Sequence, residues 1–361
     1  MHATMPRPEG AEGKTEKANA ERLGRTPAFV WATLLSFFAV LVGVLVLNTV
    51  VDPFARAGTD LLPPAVENDR AIKLTLIDRL EEPPGVLILG SSRARQAEPA
   101  YLQRLTGRSG FNAAVTGGGA SDAWVMTNHL ARRLPLRNRG FIWFVDVGIA
   151  THGVSPQLSA DPRAEPYLPG EDGFGLDDVG AYLGTEATGA SLRVLEGCAL
   201  RRCEPEDGPI YLPDGSIKAS SLLNLPEYER SALREDSVER LVQRIRAKPP
   251  RGGTIVPRRL VYFEQTLALM NRHGSTPVIV LNPVHPTVLA ELRKHGHPER
   301  KTALEYLRGL RTRYEFVFVD AEDIRTWGGS PNGFANATHV NRRNMRRLLE
   351  HIVAHSQGAL D

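Results

Sequence analysis

The sequence has few of the features that mark nucleic-acid-binding, metal-binding or repeat proteins. Its formal net charge is only +3 over 361 residues, and no lysine- and arginine-rich block is interleaved with aromatic residues, so a nucleic-acid partner is not expected. The two cysteines, Cys198 and Cys203, do not by themselves make a zinc site. They either form a disulfide that closes a short loop or remain free thiols. No segment is repeated along the chain.

Charge is missing altogether from Thr26 to Val51, where almost every residue is apolar. At about 1.5 Å per residue, a helix of this length spans a hydrocarbon core about 30 Å thick. A buried core helix usually keeps a polar stripe, and a signal peptide has a shorter apolar region followed by small residues. The stretch has no polar stripe and is longer than the apolar region of a signal peptide. It ends in the sequence from Asn48 to Pro53, which is a poor cleavage site. The sequence therefore predicts one transmembrane helix at residues 26–51.

The charges that flank this helix predict its orientation. Five basic residues precede the helix: Arg7, Lys14, Lys17, Arg22 and Arg25. Only Arg56 and Arg70 lie in the twenty residues after it, so the N-terminus is expected in the cytoplasm. The prediction is a single-pass protein of the cytoplasmic or inner membrane, in contact with the lipid bilayer, whose main domain is periplasmic. Residues 1–25, rich in Glu, Lys, Gly and Pro, are expected to be a disordered tail.

Short apolar runs alternate with helical patterns in the remainder of the chain. Residues 52–83 read as a linker and a helix, and residues 84–356 as an α/β domain. The five expected strands are Val86–Leu89, Phe111–Val115, Phe141–Val147, Pro277–Leu281 and Phe316–Val319. This alternation predicts a parallel five-stranded sheet covered on both faces. The pattern lapses at about 152–254, where helical spacing is seen only near 177–183 and 227–246, and an insertion or small subdomain is expected there.

Three polar or glycine-rich segments follow strands of the expected sheet. Ser91 and Ser92 follow the first strand, Gly117–Gly119 the second, and Asn336–His339 the fifth. Ligands of open parallel sheets bind at the carboxyl ends of the strands. A serine placed there can act as a nucleophile beside a histidine base, and a glycine turn lets N–H groups approach an oxyanion. The alternative is that Ser92 caps a helix and that the glycines make a turn or bind an anion.

The order of these segments resembles the SGNH/GDSL hydrolase superfamily, in particular its membrane-anchored branches linked to acylation of envelope polysaccharide. In that resemblance Ser92 takes the nucleophile position and Ser91 replaces an aspartate. The stretch from Phe111 through Asn112 to Gly118 and Gly119 takes the place of the oxyanion block, and His339 that of the base. The resemblance covers roughly 84–147 and 277–355. It implies a three-layer, flavodoxin-like fold.

The chain departs from the family pattern at two positions. The acid position holds Asn336, whose side chain carries no charge to stabilise an imidazolium. The third block, Gly-x-Asn-Asp, is absent, and the chain reads DVGIATH from Asp146 to His152. Three explanations stay open: a Ser–His pair oriented by a neutral partner, an acid recruited from Asp320 or Asp323, or a decayed site.

Several further residues lie beside these segments. Arg93 and Arg95 either face an anionic group of the substrate or are solvated surface residues. His285 follows the fourth strand and either lines the pocket or belongs to a loop held by prolines. His295 and His297 show no metal-ligand spacing, so solvent exposure is expected for both.

The sequence thus predicts an esterase or O-acyltransferase that acts on an envelope polysaccharide through Ser92 and His339. The resemblance implies acetyl as the acyl group and no metal or organic cofactor. It implies an envelope glycan or acyl donor as partner, and a membrane-embedded acyltransferase as a candidate further partner. The alternative is an inactive glycan-binding or assembly protein of the same fold, which the asparagine at position 336 and the missing third block favour.

Overall fold

The computed structural model describes residues 12–54, 57, 59, 61–62, 68–148, 153–169, 179–180, 182–200, 211–218, 226–251 and 257–360, with side chains from residue 28 onward except at 257–259. Eleven α-helices lie in these ranges: α1 Glu12–Val51, α2 Asp69–Asp78, α3 Pro99–Thr106, α4 Ala120–Arg133, α5 Pro156–Ser159, α6 Thr185–Ala199, α7 Glu227–Ala247, α8 Pro257–Arg272, α9 Pro286–Lys294, α10 Pro298–Leu310 and α11 Arg342–Ala354. The five strands are β1 Val86–Leu89, β2 Gly110–Asn112, β3 Gly140–Val145, β4 Val278–Leu281 and β5 Val317–Asp320. The chain divides into two compact units.

The first unit contains α1 and α6. The segment Ala28–Val51 of α1 is long and apolar enough to cross a membrane, with a mean hydropathy of 2.6. Its large side chains are exposed, since Phe29 keeps 72% of its surface and Trp31 keeps 65%. An apolar surface of this kind is stable in lipid rather than in water.

Polar groups at the end of α1 bind the part of the chain that leads into α6. The amide of Asn48 donates to the carbonyl of Tyr182 at 2.6 Å and to Thr188 Oγ1 at 3.0 Å. The Tyr182 hydroxyl in turn donates to the Asp52 carboxylate. These buried hydrogen bonds attach α6 to the end of α1.

Helix α1 begins fourteen residues before the expected membrane span. Residues 12–25 were expected to be disordered, but they continue the apolar helix. The physical reason is that Glu, Lys, Ala and Arg are good helix formers, and extending an existing helix avoids the cost of nucleating a new one. Residues 1–11 of the expected tail lie outside the described residues.

The second unit contains the five-stranded sheet, in which all neighbouring strands are parallel and the order is β2-β1-β3-β4-β5. The expected α/β class and the all-parallel sheet are therefore confirmed. The carboxyl ends of β1, β3, β4 and β5 lie at the same edge because the strands run in one direction.

Alternate side chains of each strand pack on opposite faces of the sheet. In β1, Leu87 and Leu89 join one apolar cluster while Val86 and Ile88 join another. The first cluster includes residues of α2, α4, α8 and α10, and the second includes residues of α3 and α11. Two buried faces explain why the strands read as continuous apolar runs.

Two strands end earlier than the sequence predicts. The expected strand Phe111–Val115 ends at Asn112, whose side-chain oxygen accepts the N–H of Ala114 at 2.9 Å and turns the chain. The third strand ends at Val145, so Asp146 leaves the ladder and its carboxylate is free to make side-chain contacts.

The expected insertion contains helices α5, α6 and α7. Helix α7 matches the predicted helical spacing, whereas α6 was not predicted. Its small residues, among them Gly189 and Gly197, obscure the helical apolar period. Cys198 in α6 is disulfide-bonded, and the chain's other cysteine, Cys203, lies outside the described residues.

Candidate active site

Ser92 lies where β1 turns into a short 3-10 helix, Ser92–Ala94. The turn depends on Gly90, which has a φ of +146°, a value that L side chains rarely adopt. A Cβ at this position would also lie 2.9 Å from the carbonyl oxygen of Phe144 in β3. Ser91 caps the 3-10 helix by accepting the N–H of Arg93. The glycine and the cap together direct Ser92 away from the sheet.

His339 is held in a small hairpin that follows β5. Phe334 and Val340, both buried, form an antiparallel bridge, and the N–H of Ala335 donates to the carbonyl of His339 at 2.8 Å. Asn341 ends the hairpin by capping α11, where its side chain accepts the N–H of Asn344. The imidazole position is therefore set by local hydrogen bonds and by the second apolar cluster.

The structure brings Ser92, His339 and Asn336 into one chain of contacts. Ser92 Oγ lies 2.8 Å from His339 Nε2, and His339 Nδ1 lies 2.9 Å from Asn336 Oδ1. The same Asn336 oxygen accepts the backbone N–H groups of Thr338 and His339, which can only donate, and this settles the orientation of the amide. His339 therefore carries its proton on Nδ1, which leaves Nε2 free to accept the serine proton.

The charges around His339 favour its neutral form. Burial lowers the pKa of His339 below its ordinary value, the Arg93 guanidinium lowers it further, and the Asp146 carboxylate opposes both. Asn336 orients the imidazole but adds no negative charge next to Nδ1. The histidine is thus a weak base that stays unprotonated at pH values where an ordinary histidine would carry a proton.

Asp146 is a site residue that the sequence analysis did not single out. Its carboxylate accepts from Ser91 Oγ at 3.2 Å and from the Asn282 amide at 2.9 Å, and it pairs with Arg93 at 2.8 Å. It thereby ties the ends of β1, β3 and β4 together beside the Ser92–His339 pair. The sequence feature that could have identified Asp146 is its position directly after the third apolar strand.

Two residues of the expected oxyanion block have other partners. The N–H of Gly118 donates to the carbonyl of Val115 at 3.0 Å, and a Cβ here would lie 2.5 Å from the Gly90 oxygen. Asn112 is fully buried and donates to the carbonyls of Ala94 and Ala97. Both residues support the turn that carries Ser92. In the described part of the chain, the Ser92 N–H has no protein acceptor and remains available to an oxyanion.

The two aspartates considered as recruited acids are paired with arginines. Asp320 pairs with Arg300, and Asp323 binds both Arg293 and Arg325. The partner of His339 Nδ1 is Asn336, and this geometry matches a Ser–His pair with a neutral orienting group.

Arg93 and Arg95 have different surroundings. Arg93 pairs with Asp146, while Arg95 donates to Thr116 Oγ1 at 2.6 Å and lies 3.6 Å from the Asp69 carboxylate. Arg93 therefore borders the Ser92–His339 pair through Asp146, whereas Arg95 braces the chain that follows β2.

His285 lies at the start of α9, where its Nδ1 accepts the N–H of Thr287 at 3.3 Å. Its ring packs edge-on against Phe334, and its backbone N–H donates to the carbonyl of Ala337. Burial, followed by Arg234, lowers the pKa of His285. The residue supports the hairpin that carries His339.

The expectation of solvent exposure is wrong for His297. Its side chain is buried, and its Nε2 lies 2.8 Å from the Glu322 carboxylate, which also binds Arg300 at 2.7 Å. His297 has a φ of +44°, so the turn before α10 directs the ring inward. His295 is half-buried and lies 3.6 Å from Glu291.

A cavity of about 600 Å³ lies beside the Ser92–His339 pair. Arg93, Asp146, Asn282 and Thr338 line the end nearest the pair, and the side walls come from α7 and α9. We call it the α7/α9 cavity. Among the described residues, the Asn282 Oδ1 atom is buried without a hydrogen-bond partner.

No group of three His, Cys, Asp or Glu side chains that could hold a metal ion occurs among the described residues. The expectation that no metal or organic cofactor takes part stays a prediction. What the arrangement can do by itself is remove a proton from Ser92 through His339 Nε2 while the Ser92 N–H faces a developing negative charge.

Comparison of the chain with protein-family models and with curated protein sequences finds no match. The SGNH/GDSL resemblance therefore stays a prediction based on the order and placement of the Ser92, glycine and His339 segments.

Proposed function

We propose that this protein is a membrane-anchored, extracytoplasmic serine esterase or O-acyltransferase of the SGNH type that acts on an envelope polysaccharide. The observation that carries the proposal is the contact of 2.8 Å between Ser92 Oγ and His339 Nε2 at the carboxyl edge of a parallel sheet. Acyl transfer requires a nucleophile, a base that contacts it and a group that orients the base.

The reaction would begin with attack of Ser92 Oγ on the ester carbonyl carbon, while His339 Nε2 takes the hydroxyl proton. The resulting oxyanion would accept a hydrogen bond from the backbone N–H of Ser92. Collapse breaks the ester C–O bond, and the leaving alcohol takes the proton back from His339. Water or a sugar hydroxyl then attacks the acyl-serine, and His339 accepts its proton and returns it to Ser92.

The location outside the cytoplasm rests on the flanking charges of α1. Five basic residues precede the span and two follow it within twenty residues, which favours an N-terminus inside. The disulfide at Cys198 supports the same orientation, because disulfides persist in oxidising compartments. The bilayer is then a partner through α1, with the glycan or acyl donor approaching the second unit from outside.

The test is hydrolysis of a small activated acetyl ester by the full chain in phosphatidylcholine nanodiscs. Turnover that is lost in both Ser92→Ala and His339→Ala supports the proposal. The exposed Ala290→Trp change in α9 is a control that should keep wild-type turnover. Turnover that survives both active-site changes would contradict the assignment.

A second candidate is a glycan-binding or assembly protein without turnover. It is favoured by the neutral Asn336 partner and by the Gly118 N–H, which is already bonded to Val115. Removal of one oxyanion donor from a working site costs about a hundredfold to a thousandfold in rate. An acyl-serine trapped on Ser92 by an activated ester would exclude this candidate, and glycan binding without any acylation would favour it.

A further inference from the structure

The α7/α9 cavity has aliphatic side walls. Leu241 and Ile245 of α7 adjoin Val288 and Leu292 of α9 in one packed apolar cluster that lines it, together with Val284. No Phe, Tyr or Trp lines the cavity in the described part of the chain, so it lacks the large flat rings on which sugar faces commonly stack. Its polar lining includes His297, Glu299 and Glu322. Arg244 and Lys248 also line it and are exposed, so their alkyl stems extend the walls while their charges stay in water.

Helices α7 and α9 both contact the hairpin that carries His339. Ser237 of α7 accepts the N–H of Ala337 at 3.3 Å, and the N–H of His285, just before α9, donates to the carbonyl of the same residue. Ala337 is two residues from His339. From Ser237 to Lys248, a helix rising about 1.5 Å per residue covers roughly 16 Å. Arg93 and Thr338, the chain neighbours of Ser92 and His339, line the cavity, so one end of it lies beside the Ser92–His339 pair.

The size of the cavity exceeds what an acetyl group needs. A methylene occupies about the volume of a water molecule, roughly 30 Å³, so an acetyl group fills about 60 Å³ and a ten-carbon chain about 300 Å³. An extended ten-carbon chain with bonds of about 1.5 Å spans roughly 12 Å. The volume of about 600 Å³ accommodates such a chain together with part of the alcohol group.

We propose that the α7/α9 cavity binds the acyl part of the substrate, and that this acyl group is a chain of about six to twelve carbons rather than acetyl. The inference rests on the proposed esterase or acyltransferase chemistry and names the substrate class of that site. The carbonyl carbon lies at Ser92, and the chain runs along the apolar side chains of α7 and α9, where its methylenes leave water. Each buried methylene strengthens binding about fourfold.

The test compares octanoyl and acetyl p-nitrophenyl esters with the full chain in phosphatidylcholine nanodiscs, with empty nanodiscs subtracted. We expect kcat/KM to be about thirtyfold or more higher for the octanoyl ester. Leu241→Trp fills the cavity from α7 and should lower the octanoyl-to-acetyl ratio at least about tenfold. Leu292→Trp on α9 should do the same, which guards against a folding defect in one variant. Gln243→Trp, exposed on α7, should leave the ratio unchanged.

Binding of decanoate to the Ser92→Ala chain is the readout that needs no turnover. Decanoate should bind, and Leu241→Trp should weaken its binding at least about tenfold. Equal kcat/KM for the two esters, with no decanoate binding below about 1 mM, would overturn the acyl-chain inference. Turnover of the acetyl ester in the same experiment would still support the proposed esterase. Decanoate binding that Leu241→Trp removes, without hydrolysis of either ester, would instead refute the esterase and keep the acyl-chain site.

Discussion

Two histidines in the sheet-containing unit have opposite surroundings. His339 is half-buried, and its neighbours are a serine hydroxyl at 2.8 Å and the oxygen of a neutral amide at 2.9 Å. His297 is buried, and its neighbour is the carboxylate of Glu322, which Arg300 also binds. The histidine with the acidic partner thus has no nucleophile beside it, and the histidine with the nucleophile has no acidic partner.

The two histidines differ in what their contacts do: those of His297 stabilise the fold, and those of His339 place it next to a nucleophile. The buried His297–Glu322–Arg300 cluster joins the start of α10 to the chain after β5, and its contacts give the buried Glu322 carboxylate two partners. The His339 pair lies at the carboxyl edge of the sheet, where a ligand can reach it. His297 and Glu322 also line the α7/α9 cavity, so it is the neighbouring Ser92 hydroxyl that distinguishes His339 as the candidate base.

The largest expected effect is that of Ser92→Ala. Ester turnover should fall by about a thousandfold or more, because the nucleophile is removed. The double change Ser92→Ala with His339→Ala should cause little additional loss, since the two groups act as a unit. Steady-state hydrolysis with matched melting curves measures both; additive losses would mean that the two residues act independently.

The next effect comes from giving His339 the acidic partner that it lacks. In Asn336→Asp the carboxylate keeps the two backbone N–H donors and adds a negative charge next to Nδ1, which raises the pKa of His339. We expect turnover at pH 8 to rise about tenfold, because the imidazolium of the transition state is stabilised. The acid limb of the pH–rate profile should move to higher pH. An unchanged profile would show that Asn336 does not orient the base.

The converse change removes the charge from the buried histidine cluster. Glu322→Gln keeps the shape but leaves Arg300 without one of its carboxylate partners, and it should lower the free energy of unfolding by about 2–4 kcal/mol. Acetyl ester turnover at 25 °C should stay within about threefold of wild type, since Glu322 does not touch the Ser92–His339 pair. Thermal melting and turnover are measured on the same sample. Lost turnover with unchanged melting would reverse the assignment of the two histidines.

The smallest expected effect concerns Arg93. Its guanidinium lowers the pKa of His339, and its loss also frees Asp146 to raise that pKa. In Arg93→Gln the imidazole is therefore protonated at higher pH, so activity at pH 6 falls relative to activity at pH 8. Arg343→Gln, an exposed change on α11, is the control and should leave that ratio unchanged.

The sheet could be predicted from the sequence because each strand is a short apolar run buried on both faces. Val86–Leu89 and Val278–Leu281 were predicted to within one residue for this reason. Helix α6 could not be predicted from the sequence, because its glycines and alanines leave no clear helical period of apolar residues. The composition of residues 12–25 predicts disorder, whereas in the structure the segment extends a long helix.

The candidate site was predictable where residues directly follow strands. Ser92 and His339 meet as expected, 247 positions apart in the chain. Gly118 and Asn112 were assigned to the oxyanion block, but their hydrogen-bonding groups are used within the protein. Hydrogen-bond partners are set by the turn geometry, which residue types alone do not specify.

The sequence by itself determined the apolar span of α1, the α/β class and the two segments that supply Ser92 and His339, because these follow from local apolar runs and from residues that directly follow strands. Only the tertiary structure decided that Asn336 orients the base, that Asp146 joins three strand ends and that His297 is buried with Glu322. The physical reason is that hydrogen-bond partners and charge pairs depend on distances between segments far apart in sequence. Those distances exist only once the sheet and its helices have packed.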